Sequence, residues 1–205
     1  MQNQILGPRH TVVTALIFIN IAIFLAELLI PQTSRYTRTQ IFGLSWLGLR
    51  SGMVWQLVSH QFLHGSVLHM AVNMMGLWYA GRLLENRYGG WRFLMLYLTC
   101  GIAGGLLQVL VVPGTLLIGA SGAVFGLVCA FSALYPRMRI TALLFFVIPI
   151  NLEAKWLGRG LVAFSLLMTV TGLGGQIGHA AHLGGALAGY AWGHFISRGR
   201  IFCGL

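Results

Sequence analysis

Apolar residues along this chain gather into long runs, and polar residues interrupt them at intervals that suit a bilayer. The first run, residues 11–30 (TVVTALIFINIAIFLAELLI), has about the twenty residues that a helix needs to cross roughly 30 Å of hydrocarbon. Runs at about 67–84, 92–112, 155–173 and 179–197 predict four more spans, the last of them rich in glycine and alanine. A sixth helix is predicted over 121–135, between Ser121 and Pro136. At 1.5 Å per residue it reaches only roughly 22 Å, so its start must lie below the membrane surface.

The interruptions carry information of their own. Residues 31–66 hold Pro31, three arginines and the aromatics Phe42, Trp46 and Trp55, which predicts a long interfacial loop with short amphipathic pieces. Pro113-Gly114 closes the third run in a turn. Residues 140–150 (ITALLFFVIPI) are too short to cross and contain Pro149, so they are expected to form an interfacial or packed connector. The expected fold is all-α: one polytopic membrane domain over 1–205, a bundle of six transmembrane helices. With no small-residue cleavage site, the first run reads as a retained helix and not a signal peptide.

Composition agrees, because 57% hydrophobic and 8% charged residues cannot dress a soluble surface. The net charge of +10 does not point to nucleic acid, since the thirteen basic residues are scattered between apolar runs. They order the topology instead. With a cytoplasmic N-terminus, Arg9, Arg82, Arg87, Arg92, Arg137, Arg139, Lys155, Arg159, Arg198 and Arg200 lie inside, and Arg35, Arg38 and Arg50 outside. Both termini are then cytoplasmic, and the short tails and minimal core point to a prokaryotic plasma membrane. Cys100, Cys129 and Cys203 have no paired spacing and read as small hydrophobes.

In this topology the second, fourth and sixth runs enter from the outer side, and His69, Ser121 and His182 all lie near their starts. Polar groups at membrane depth are costly and functional by default. The chain has no aspartate, and Glu27, Glu85 and Glu153 are its only acidic residues, which excludes an aspartyl dyad and a Ser-His-Asp triad. No His-Glu-x-x-His is present for a zinc protease. A serine with histidine as base remains. Ser121 would attack a carbonyl carbon while His182 takes its proton and returns it to the leaving amine. At a helix start the Ser121 N–H is an oxyanion donor, and His69 and Asn73, spaced i, i+4, can add side-chain donors. Activity is expected to fall as His182 protonates.

Gly122 with Gly126, and Gly185 with Gly189, form small-xxx-small faces that would bring the two helices together. Gly185→Val is accordingly expected to damage activity with the fold largely retained. Gly101 and Gly105 predict close packing of the third span against a neighbour.

The ordered set His64-x4-His69-x3-Asn73, Gly119-x-Ser121-Gly122 and Ala181-His182-x2-Gly185-x3-Gly189 resembles the rhomboid intramembrane serine proteases over the whole chain. The resemblance implies cleavage of transmembrane protein substrates in the lipid bilayer by a Ser121–His182 dyad in a water-filled cavity opening outward. His69 and Asn73 would assist the oxyanion, and no metal or organic cofactor is implied. Phe125 matches a family aromatic that packs on the catalytic histidine. Trp55-Gln56 departs from the Trp-Arg of many members.

Two other classes compete. His60, His64, His69, His179 and His182 could form a metal or haem site, or the chain could be a catalytically silent relative that binds transmembrane helices. Ser121 discriminates, because neither role uses it. Elsewhere, His64 reads as a brace for the first loop, and His10, His60, His179 and His194 as interfacial. Glu85 reads as a structural cluster with Arg82 or Arg87, Glu27 as reaching water, and Met70, Met74, Met75 and Trp78 as helix packing.

Overall fold

A computed structural model describes residues 11–29, 31–144, 148–173, 175 and 177–197. The chain is predominantly helical. Helices α1 (Thr11–Leu28), α5 (Val67–Tyr88), α6 (Gly90–Val111), α7 (Ser121–Leu134), α8 (Ala154–Thr171) and α9 (His179–Ser197) follow the six apolar runs. Of these, α1 and α6 are long and apolar enough to cross a membrane by length and composition, and α7 is a shorter apolar helix. Between α1 and α5 lie α2 (Gln32–Phe42), α3 (Trp46–Arg50), α4 (Gln56–Ser59) and a 3-10 turn, His60–Phe62. His10, Arg9, Arg198, Arg200 and Cys203 lie outside the described residues.

Local chemistry sets the helix ends. Ser66 caps α5 by accepting from the His69 N–H at 3.1 Å. Gly89 alone separates α5 from α6, and its φ of 77° is a conformation glycine adopts without steric cost. The core runs from the inner faces of α1, α5 and α6 onto α7, through Leu77, Leu84, Phe93, Tyr97 and Leu127. Cys100 and Cys129 are buried free thiols within it.

Several expectations change here. Residues 139–144 and 148–153 form two antiparallel strands, β1 (Arg139–Leu144) and β2 (Ile148–Glu153), so the fold is not purely helical. A segment too short to span still has to satisfy its backbone groups, and a strand pair does so locally while accommodating Pro149 at an edge. The Ala154 N–H donates to the Met138 carbonyl at 2.9 Å, which closes the hairpin base, and Ser132 Oγ donates to the Ala154 carbonyl at 2.8 Å, which ties that base to α7.

Glu85 is not paired with Arg82 or Arg87. Its two carboxylate oxygens accept from the Val12 and Val13 N–H groups at 2.9 and 3.0 Å, capping α1. Arg82 lies over the Trp78 ring, 4.5 Å from its centroid. Glu27 is buried and does not reach water as expected. Of the predicted packing surface, Met74 is core and Met70 packs against it, whereas Met75 and Trp78 are exposed.

Candidate active site

Ser121 is the first residue of α7, and His182 lies in the first turn of α9, where its N–H donates to the Gly178 carbonyl at 3.0 Å. The two side chains meet: His182 Nε2 is 2.8 Å from Ser121 Oγ. Phe125, one turn after Ser121, stacks on the His182 ring at 4.1 Å between centroids and 12° between planes. The imidazole is thereby fixed in rotation as well as distance. A serine O–H donating to a bare Nε2 is the geometry needed to transfer its proton as the oxygen attacks.

Glycines permit this approach. A Cβ on Gly185 would overlap the Gly122 carbonyl oxygen, and one on Gly189 would overlap the Gly126 carbonyl oxygen. The two predicted glycine faces therefore meet each other, backbone against backbone. A third helix joins them, since a Cβ on Gly104 of α6 would stand 2.5 Å from the Ala181 carbonyl oxygen. Backbone contact at three helices leaves little freedom for the Ser121–His182 distance.

His69 and Asn73 approach the same end of α7. A Cβ on Gly119 would stand 2.6 Å from the His69 ring, and Gly119 has φ of 118°, so only glycine fits beside this histidine. One turn beyond Asn73, Gly76 packs against the Val124 side chain of α7. Asn73 lies between these contacts, buried, with its Nδ2 donor lacking a partner among the described residues. A buried unpartnered donor is costly unless something occupies it, as a developing oxyanion would.

The first loop braces the turn before Ser121 in two places. Leu44 and Leu117 exchange backbone hydrogen bonds at 2.9 and 2.8 Å, and the Gly119 N–H donates to the His60 carbonyl at 2.8 Å. Gln56, at the Trp-Arg departure, is fully buried and organises this loop. Its Nε2 donates to the Gln40 carbonyl at 2.9 Å, and its Oε1 accepts from the Ser45 N–H at 3.2 Å. The neighbour predicted for Gly101 and Gly105 is also this loop: Gly101 meets Gln61, and Gly105 meets Leu44 and His60.

His60 is therefore not interfacial. It is 2% exposed, and its Nδ1 lies 2.7 Å from the Gln56 carbonyl. His64 is buried and edge-on to the His69 ring at 5.1 Å. Burial pushes His60 down to about 4 and, with the nearby His69, pushes His64 to about 4. A histidine held below its unfolded value of about 6.5 binds its proton first in the unfolded chain. Stability is then fully present above pH 6.5 and lost as pH falls from there toward 4, on the order of 3 kcal/mol for His60 alone. The melting temperature in detergent is expected to drop across that window, and less so in His60→Gln. A flat melting temperature from pH 7 to 4.5 would contradict the buried neutral ring.

Gln108 belongs to none of the sequence motifs, yet it holds the site together. It is buried near the end of α6; its Oε1 accepts from the Ala181 N–H at 3.1 Å and its Nε2 donates to Thr115 Oγ1 at 3.1 Å. It thus fastens the backbone beside His182 to the loop that leads to Ser121. Its signal was a lone amide in an apolar helix. His179, expected at the interface, is buried and edge-on to His182 at 5.8 Å, while His194 is exposed. Among the described residues, no three of His, Cys, Asp or Glu gather into a metal-holding group, so the five histidines of the metal reading are not assembled as ligands.

A family model described as Rhomboid domain matches residues 51–199, most of the chain. The chain belongs to the rhomboid family. It is 34% identical to Rhomboid protein 1, mitochondrial, of Saccharomyces cerevisiae over 69% of this chain and 42% of that protein. To Rhomboid protease GlpG of Serratia proteamaculans it is 34% identical over 79% of this chain and 56% of the relative. To Rhomboid protease GluP of Bacillus subtilis it is 30% identical over 69% and 26%. This rhomboid thus spans about half the length of the first two relatives. Family membership makes it an integral membrane protein, in agreement with its composition.

Proposed function

We propose that this rhomboid is an intramembrane serine endopeptidase that cleaves transmembrane segments of other membrane proteins. The observation that carries the reading is the 2.8 Å approach of His182 Nε2 to Ser121 Oγ beneath a stacked Phe125. Similarity to two relatives named as rhomboid proteases supports it. Ser121 Oγ attacks the scissile carbonyl, His182 accepts the proton, and the same proton passes to the leaving amine. The acyl-enzyme is then opened by water with His182 again as base. The Ser121 N–H at the α7 start, with His69 and Asn73, stabilises the oxyanion. Catalysis needs no metal or organic cofactor in this scheme.

The bilayer is the second partner. We read the chain as one membrane domain in which α1, α5, α6, α7, α8 and α9 are the six spans. The distribution of arginine and lysine puts both termini in the cytoplasm and opens the site on the outer side.

Labelling of the detergent-purified protein with a fluorophosphonate tests the reading directly. Wild type is expected to label, and Ser121→Ala and His182→Ala are not. A folded wild type that fails to label would move the chain to the silent helix-binding class.

Gln108→Leu supplies a finer test. Loss of both amide hydrogen bonds frees the Ala181 backbone, and small misplacements of catalytic groups cost up to about a hundredfold in rate. Labelling rate and kcat are expected to fall by roughly tenfold or more, with little change in KM. An unchanged labelling rate would show that Gln108 does not position His182.

A further inference from the structure

At the end of α7 remote from Ser121, the hairpin and the start of α8 present a surface that the proteolytic reading does not use. Strand alternation gives β1 and β2 two faces: Arg139 and Thr141 opposite Glu153 and Asn151 on one, Ile140 and Ala142 opposite Leu152 and Ile150 on the other. Ile140 packs against the core at the hairpin base, while Ile150, further along, is exposed. One face is therefore polar and the other apolar, and among the described residues of the apolar face Ile140, Ala142 and Leu152 are partly covered while Ile150 is exposed.

The base of this hairpin is ringed by cations. Arg137, Arg139 and Arg159 are exposed, and Lys155 is partly exposed. Arg159 and Lys155 lie over the ring of exposed Trp156, 5.2 and 5.4 Å from its centroid. Glu153 is the one acidic group in this ring and is paired with Lys155. That pairing, with Arg139 and Arg137 further off, holds its carboxyl below the usual range. One carboxylate against Arg137, Arg139, Lys155 and Arg159 leaves this surface with a net positive charge.

We propose that the exposed part of the hairpin and the first turn of α8 form a contact surface for anionic lipid headgroups of the adjoining leaflet. The pattern of an apolar face, an indole and a belt of basic side chains matches the layering of a membrane interface: apolar groups toward acyl chains, tryptophan at headgroup level, cations on phosphate. A soluble acidic protein would complement the arginines and leave Ile150 and Trp156 without apolar neighbours. The inference requires only that the chain be embedded in a bilayer, and it stands apart from the catalytic reading.

The test is thermal unfolding of the purified full chain in nanodiscs of phosphatidylcholine alone or with phosphatidylglycerol. The anionic lipid binds the folded surface and is expected to raise the melting temperature by a few degrees. High salt should remove the rise, and the triple variant Arg137→Gln, Arg139→Gln, Arg159→Gln should lose most of it. Arg38→Gln, in the first loop, should keep it. Equal melting temperatures of wild type in the two lipids would overturn the proposal, as would a rise that survives salt or the triple substitution. Reproduction of the rise by free glycerol phosphate in phosphatidylcholine discs would also overturn it, because the surface would then bind phosphate and not a leaflet. If the triple variant cannot be reconstituted, the salt series on wild type decides.

Discussion

Ser121→Ala is expected to lower kcat/KM for a transmembrane substrate on the order of ten-thousandfold or more, and His182→Ala by a similar factor. The two groups act as one unit, because the serine oxygen becomes a competent nucleophile only as the histidine removes its proton across the 2.8 Å contact. The double variant is therefore expected to be no slower than either single one, where independent contributions would multiply. Neither substitution should destabilise the fold much. Ser121 heads its helix without capping it, and the buried environment of His182 is held by glycine and alanine backbone contacts that survive truncation of the ring. Kinetics on a reconstituted substrate, with melting curves beside them, separate the two effects. A double variant much slower than both singles would show that the residues act independently, and the proposed dyad would fail.

How much of this was legible in the chain depends on which physical signal each feature left. The start of α5 was readable because polar sequence ending at Ser66 gives way to an apolar run, and that of α7 because Ser121 follows the turn begun by Pro113-Gly114 and heads an uninterrupted apolar stretch. The second span was read to about 84, and α5 itself continues to Tyr88, because Glu85 and Arg87 mark the edge of hydrocarbon and not the end of a helix. The hairpin was hidden because an apolar run of that length has no periodicity that separates strand from helix. Gly101 and Gly105 announced a close neighbour, but spacing alone could not say that it was the first loop and not a second span. The pairing of Ser121 with His182 was suggested by a topology that put both at the same depth. The brace through Leu44, His60 and Gln56 was not visible, because it rests on backbone groups whose partners are set by tertiary structure.

Gly185→Val is expected to abolish fluorophosphonate labelling and to destabilise the protein as well, a harsher outcome than retention of the fold. The reason is what surrounds the site. A Cβ there would overlap the Gly122 carbonyl oxygen and stand 3.2 Å from that of Cys100, so backbone atoms of α7 and α6 oppose it and no side chain can rotate away. Relief requires α9 to move from α7, and that displacement separates His182 from Ser121. Overpacking of a tight core costs typically about 1–3 kcal/mol, and a β-branched residue at a backbone contact belongs at the upper end or beyond. Gly185→Ala should show the same loss in milder form. Gly160→Ala is the control, since nothing lies within 4 Å of a Cβ at that position of α8, and replacing a glycine inside a helix is worth about 0.5–1 kcal/mol of stability. Labelling and melting temperature measured together decide the matter. If Gly185→Val labelled as fast as wild type, α7 and α9 would not be held by this glycine contact, and the argument that backbone proximity sets the Ser121–His182 distance would be lost.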